Sequence, residues 1–435
     1  MIIRGGTVVT SRGVEKADIA IAGGQITAVG MNLADDGEDI DASGLHVFPG
    51  GIDSHVHFNE PGRTEWEDIA HGSAALAAGG YTTFVDMPLN NLPVTTDVAA
   101  FDLKLEAMKR SSKVDFGLWG GLVPGKLDQL EPLVERGVMG FKAFMCSSGI
   151  DEFPASDLRT LREGMKRIAV LDSILLVHAE DPQALHSPSG KSWKDFVLSR
   201  PPEAEWSAIG QAIAIAIETG CRLHIVHVST RHGFEVIRDA QRRGADVSGE
   251  TCPQYLLYAD YELDRLGGIG KCAPPLRSTI FRDGLWDMFV NGHIPMVVSD
   301  HSPSTLELKL DDDFNNIWGG ISGCQSTRQL LLAQQVDLSL TAAVTAANVA
   351  QRFHLKDKGD IAPGADADLW IVDLEHRDVV TRDDLLYRNP FSAHEGQPIR
   401  GRTVRTLVRG QIAFAGGKPA AQPLGRFITP ARGGR

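Results

Sequence analysis

The stretch HVFPGGIDSHVHFNEPGR, residues 46–63, starts as an apolar run, ends in a turn, and sets His55 and His57 where the two meet. Asn59, Pro61 and Gly62 break the apolar pattern, so the run reads as a strand that stops at the histidines. Side chains two apart on a strand point to the same face. A His-x-His pair at a strand end is therefore a direct way for one strand to offer two imidazole nitrogens to one metal ion.

Seven further β-rich apolar runs follow: YTTFVDM (81–87), VDFGLWG (114–120), VMGFKAFM (138–145), SILLVHAE (173–180), RLHIVHVS (222–229), ADVSGET (245–251) and PMVVSDHS (295–302). Helix-like segments lie between most of them, among them WEDIAHGSAALAAGG (66–80), DVAAFDLKLEAMKR (97–110), DLRTLREGMKRIAV (157–170) and EWSAIGQAIAIAIETG (205–220). Strands alternating with helices predict a parallel sheet, and eight such repeats predict a (β/α)8 barrel, with a doubly wound sheet as the alternative. Both ends of the chain read differently. MIIRGGTVVT, KADIAIAGGQITAVG and GLHVFPG at the start, and KGDIAPGADADLWIVDL and RTVRTLVRGQIAFAGGKPA near the end, are short strands punctuated by glycine. The expected organisation is a small β-sandwich from residues 1–50 and 355–435, with the barrel, residues 51–354, inserted between them. The terminal TPARGGR reads as a loose tail.

Barrel chemistry gathers at the C-terminal ends of the strands. The first run ends at His55 and His57, the fourth carries Lys142, and the fifth, sixth and eighth end at His178, His227 and Asp300. Five of the eight runs thus bring a candidate group to one rim. His224 lies three residues before His227, faces the other way on a strand, and reads as structural. Asp300 is preferred over His301 because a strand-end carboxylate serves both as oxygen ligand and as proton carrier. His71, His186, His232, His293, His354, His376 and His394 fall on helices or loops and read as surface or packing residues. Lys142, between Phe141 and Ala143, is costly to bury. Either its amine reaches solvent or its surroundings lower its pKa.

The 435 residues are 43% hydrophobic and 23% charged, ordinary globular composition with ample material for a large core. A net charge of −13, with no basic run, argues against nucleic acid and membrane surfaces as partners. The five cysteines contain no CxxC pair, which fits a reducing, cytoplasmic setting. The N-terminus enters a strand pattern directly, without the apolar core of a signal segment, and no run is long enough to span a membrane.

As a set and in order, DSHVHFNEPGR, FVDMPLN, GFKAFM, LLVHAED, IVHVST, ETCPQYL and VVSDHSPS resemble the cyclic amidohydrolases of the amidohydrolase superfamily, over about residues 1–415. The resemblance implies a distorted TIM barrel with a β-sandwich built from both termini. It implies two divalent metal ions, most often zinc, with iron, cobalt or manganese in similar sites. His55, His57 and Asp300 would hold the first ion, His178 and His227 the second. Lys142, made into N6-carboxylysine by carbon dioxide, would bridge them, and Asp300 would be the catalytic proton carrier. A homo-oligomer, dimer or tetramer, is also implied.

Within that family, dihydroorotases usually carry Arg where this chain has Asn59, and hydantoinases and dihydropyrimidinases usually carry Tyr where it has Ser147. The segments FNEPGRTEWE, MPLNNLPVTT, FKAFMCSSGIDEFP, WGGISGCQS and NPFSAHEGQPIRG are most similar to the allantoinase branch, which implies allantoin as the small-molecule substrate. On that resemblance, the backbone at Ala273 and Gly319 would read the ring, and Asn91, Ser147 and Ser148 would meet the ureido group. Another cyclic-amide hydrolase, or a non-catalytic relative of dihydropyrimidinase, is the alternative. The acidic, polar stretch 305–316 follows Asp300 closely and reads as a mobile loop beside the site or as a solvated surface turn.

Overall fold

The computed structural model describes residues 1–34 and 37–432. Seven of the expected runs form strands: Gly51–Val56, Tyr81–Asp86, Asp115–Leu118, Phe141–Phe144, Ile174–His178, Arg222–Ile225 and Val247–Gly249. Neighbours pair in parallel and in chain order within two sheets, one of the first three strands and one running from Gly120–Gly121 to Val247–Gly249. Only Trp119 separates Asp115–Leu118 from Gly120–Gly121, so the chain passes directly from one sheet to the other: Trp119 N–H donates to Asp86 O in the first at 3.0 Å, and Gly120 N–H to Gly140 O beside the second at 2.9 Å. The eighth run closes the ring without forming a full ladder. Val297 bridges Thr251 on one side and His301 bridges Val56 on the other, both in parallel. The result is a distorted (β/α)8 barrel.

The first two barrel strands are buried along their whole length. Parallel strands in a barrel are covered on both faces, so these segments show no clean alternation, and their polar side chains, Asp53, Ser54, Thr82 and Thr83 among them, are buried along with the apolar ones. The helices Ile69–Ala78, Val98–Ser111, Leu158–Val170 and Arg231–Arg242 start at Asp68, Asp97, Asp157 and Thr230, whose side chains each accept a first-turn N–H. These caps fix where each helix begins after its loop.

The ends of the chain share one nine-stranded sheet. His46–Pro49 pairs with Leu369–Val379 antiparallel, Pro49 opposite Leu369, so the strand leading into the barrel is stitched to the strand that follows it. Its apolar face, including Ile3, Ile19, Ile26, Val47, Ile371 and Leu407, folds into a separate core, giving the sandwich. At the junction Arg328 is fully buried, donates to Gly80 O at 2.8 Å and Pro49 O at 3.2 Å, and stacks 4.2 Å from the Trp370 ring.

The expected loose tail departs from the structure over its described part. Phe427 bridges Phe116, Ala431 N–H donates to His354 O at 2.9 Å, and Arg432 donates to Val134 O at 3.0 Å. Phe427 packs between Phe101 and Phe116, and this aromatic anchor returns the segment to the barrel. Residues 433–435 lie outside the described residues.

Candidate metal centre

His55 leaves the first strand with its Nε2 3.1 Å from Asp300 Oδ1, and His57 Nε2 lies 3.4 Å from the same oxygen. On the other side, His178 Nδ1 and His227 Nε2 are 3.0 Å apart. The His55 and His227 rings stand 5.4 Å apart between centroids, which joins the two groups into one cluster. Lys142 completes the floor. All six line one cavity with Leu89, Asn90, Phe144, Ser147, Ser148, Cys272, Ala273, Ser302 and residues 318–320.

Local folding fixes these side chains. His227 and Asp300 have φ of 39° and 47°, a left-handed conformation uncommon for non-glycine residues and frequent at functional sites. After His57, Phe58 N–H donates to Asp86 Oδ1 at 2.8 Å, and Lys104 Nζ, 2.9 Å from Asp86 Oδ2, donates to Phe58 O at 2.5 Å. The turn that ends the first strand is therefore pinned from the second strand and its helix.

Each side of the cluster has a buried carboxylate behind it. Glu250 Oε1 lies 2.6 Å from His55 Nδ1, while Glu250 Oε2 lies 3.0 Å from His224 Nε2 and accepts from Ser54 Oγ at 3.3 Å. Glu180 Oε2 lies 2.7 Å from His178 Nε2 and pairs with Arg200. These contacts leave His55 Nε2 and His178 Nδ1 facing the cavity, the second-nitrogen anchoring usual for metal-ligating histidines. Burial opposes ionisation of Glu180, yet Arg200 and His178 outweigh it and hold the carboxyl below its ordinary range.

The electrostatics suit cations. Burial, followed by the Lys142 charge, holds His55 well below the ordinary imidazole pKa. Burial, followed by His178, does the same to His227. Neutral imidazoles are the ligating form. Burial pulls Lys142 down to about 8 against the opposing pull of Asp300, and its Nζ has no hydrogen-bond partner. His227 Nδ1 is likewise unpartnered. An orphaned amine among neutral imidazoles and a carboxylate is a donor set that fits divalent metal ions.

Other expectations fall out differently. Ala273, Gly319, Ser147 and Ser148 line the cavity, but Asn91 does not. Asn91 is buried and its carboxamide donates to Pro93 O at 2.7 Å, while Asn90, at φ 74°, supplies the cavity wall instead. The Ser148 hydroxyl is turned inward, donating to Phe153 O at 2.6 Å. Asn59 is fully buried and outside the lining. His301 faces away, accepting from Gly323 N–H at 3.1 Å, and His224 is buried against Glu250 and Ser248. Glu250 and Glu180 were not anticipated. Both were within reach: Glu250 directly follows the seventh strand, and Glu180 sits two residues after His178.

The Amidohydrolase family profile matches residues 46–413. The chain belongs to the amidohydrolase family. This amidohydrolase is 48% identical to an allantoinase of Rubrobacter xylanophilus over 99% of its own length and 98% of that protein. It is 45% identical to an allantoinase of Solibacter usitatus, covering 99% and 96% of the two chains. Among solved structures, the L-hydantoinase (dihydropyrimidinase) of Arthrobacter aurescens superimposes with a TM-score of 0.95 at 32% identity, over 98% of this chain and 99% of that one. The family implies a divalent metal site and a small-molecule substrate. Among the described residues, no helix is long and apolar enough to cross a membrane.

Proposed function

We propose that this amidohydrolase is an allantoinase, opening the hydantoin ring of allantoin to give allantoate. The observation that carries the reading is full-length similarity to allantoinases, at 48% and 45% identity, in a chain whose cavity wall has Ser147 where hydantoinases usually carry Tyr. The likeness to the L-hydantoinase structure supports a second reading, a hydantoinase or dihydropyrimidinase, with dihydroorotase more distant. All six ligand positions are filled, which argues against a non-catalytic relative.

In this reading the barrel, residues 51–354, carries the chemistry, and segments 1–50 and 355–435 form the sandwich domain. His55, His57 and Asp300 would hold one ion and His178 and His227 the other. Lys142, carboxylated by carbon dioxide, would supply the remaining oxygen ligands from the cavity floor. Zinc suits the nitrogen-rich donor set. When bound, the pair of ions supplies Lewis acidity to the substrate carbonyl and makes water acidic enough to ionise near neutral pH.

The chain's own groups do the rest. The backbone at Ala273 and Gly319 faces the cavity, and peptide groups complement an imide's alternating donors and acceptors. Ser147, exposed at the rim, meets the ureido substituent. Asp300 Oδ1, close to both His55 and His57, takes the proton of the attacking water. It returns that proton to the ring nitrogen as the C–N bond breaks, so the ring carbonyl becomes a carboxylate and the leaving nitrogen becomes the NH2 of a second ureido group. The enzyme works in the cytoplasm as a homo-oligomer.

The test is a substrate panel: racemic allantoin, hydantoin, dihydrouracil and dihydroorotate, with protein supplied with zinc, cobalt or manganese and bicarbonate. Preferential opening of allantoin is expected. Preferential turnover of another ring would replace the allantoinase reading while keeping the same centre.

A further inference from the structure

Across the cavity from the histidines, one wall is the segment Cys272–Ala273 and another is residues 318–320. Two lysines lie behind these walls, Lys271 5% exposed and Lys309 3% exposed. Lys271 Nζ donates to Phe314 O at 2.7 Å, Asn315 O at 2.9 Å and Ile317 O at 2.6 Å. Lys309 Nζ donates to Trp318 O at 2.9 Å and Gly320 O at 2.5 Å. No carboxylate pairs with either amine among the described residues. Lys271 has instead the faces of Phe196 and Phe314, 4.7 and 5.5 Å from Nζ.

This is an unusual use of buried lysines. A buried ammonium must spend its donors on acceptors, and three carbonyls saturate Lys271. All five acceptors lie in one seven-residue stretch, 314–320. The backbone adds to the tie: Gly320 N–H donates to Lys271 O and Phe314 N–H to Lys191 O, both at 2.8 Å. The sequence reading of 305–316 as a loop beside the site thus meets a segment anchored from within.

We propose that Lys271 and Lys309 are positioning residues, clasping segment 314–320 so that the Gly319 backbone is held at the substrate's distance from the Ala273 wall. The segment turns carbonyls of Phe314, Asn315, Ile317, Trp318 and Gly320 to the lysines, while Trp318, Gly319 and Gly320 also line the cavity. A wall fixed by five lysine–carbonyl bonds and a few backbone bonds loses its register when the lysines are removed, because among the described residues no helix or strand ladder holds 314–320. The role concerns substrate binding, not the metal ions, and it rests on the cyclic-amide reading of the cavity.

Lys271→Met and Lys309→Met, made separately, test the clasp with two readouts. The first is amide hydrogen exchange over 311–320 in the substrate-free, metal-loaded enzyme, expected to rise by about tenfold or more with the barrel strands unchanged. The second is the kinetics on whichever cyclic amide the unmodified enzyme opens. KM is expected to rise about tenfold, with kcat within about threefold and metal content unchanged. Unaltered exchange in both variants, or a fall in Tm with KM unmoved, would overturn the proposal. Failure of both variants to fold would also overturn it, since a local clasp predicts a local effect. If no cyclic amide is opened, the functional reading fails, while the exchange measurement still decides the clasp.

Discussion

Glu250 shows how much of this centre depends on residues that never reach the cavity. Its two oxygens join His55, His224 and Ser54, and burial raises its carboxyl to about 8. Replacing it with Gln keeps the shape but places an amide where His55 and His224 have an acceptor each. We expect Glu250→Gln to weaken metal binding about 10- to 100-fold, measured by competition with a chelator, with the fold intact by circular dichroism. Unchanged metal affinity would remove Glu250 from the support of His55. At this scale the sequence was partly readable. Imidazoles and a carboxylate at strand ends announce themselves by position, since the barrel brings strand ends together. Sequence could not tell Asn91 from its neighbour, since adjacent loop residues point different ways, and it is Asn90, at φ 74°, that lines the cavity.

The first barrel strand and its neighbours set the next scale. The strand Gly51–Val56 follows His46–Pro49 after one residue, so a barrel strand and a sandwich strand share a corner. The corner is tight. Gly80, at φ 81°, lies where an added Cβ would sit 2.4 Å from Trp370 Cγ, and its carbonyl accepts from Arg328. A side chain there meets both an unfavourable backbone conformation and an occupied volume. Gly80→Ala is expected to destabilise the fold by about 1–3 kcal/mol in urea denaturation. The strands themselves were legible because short β-rich runs alternate with helix-like segments along the chain. The eighth was legible as a run but forms only isolated bridges at Val297 and His301, an irregularity that leaves no mark in the amino-acid pattern. The stretch after it was legible as a loop or turn, but its anchoring was not, because Lys271 and Lys309 look like ordinary surface lysines in sequence.

Seen whole, barrel and sandwich are joined by charge as well as by packing. Lys358 Nζ lies 2.6 Å from Asp115, 2.7 Å from Asp368 and 2.9 Å from Asp366, linking the third barrel strand to the segment leading into Leu369–Val379. Arg409 pairs with the same Asp115. Removing the lysine strands three carboxylates, two of them buried, around one point. Lys358→Met is expected to cost about 3–5 kcal/mol in denaturant unfolding. A cost below about 1 kcal/mol would mean that Arg409 alone suffices. Such long-range knots were invisible in the sequence, whereas the sandwich-barrel-sandwich order showed in composition at the two ends. We propose that barrel and sandwich together hold two ions on a carboxylated Lys142. This is tested most directly by counting divalent ions per chain in protein prepared with zinc and 13C-bicarbonate, while recording the carbamate carbon by NMR. Two ions per chain and a carbamate signal are expected, with the signal and metal lost in Lys142→Ala and metal partly restored by a short carboxylic acid. Full metal content without a carbamate signal, or Lys142→Ala retaining both ions and full activity, would contradict it.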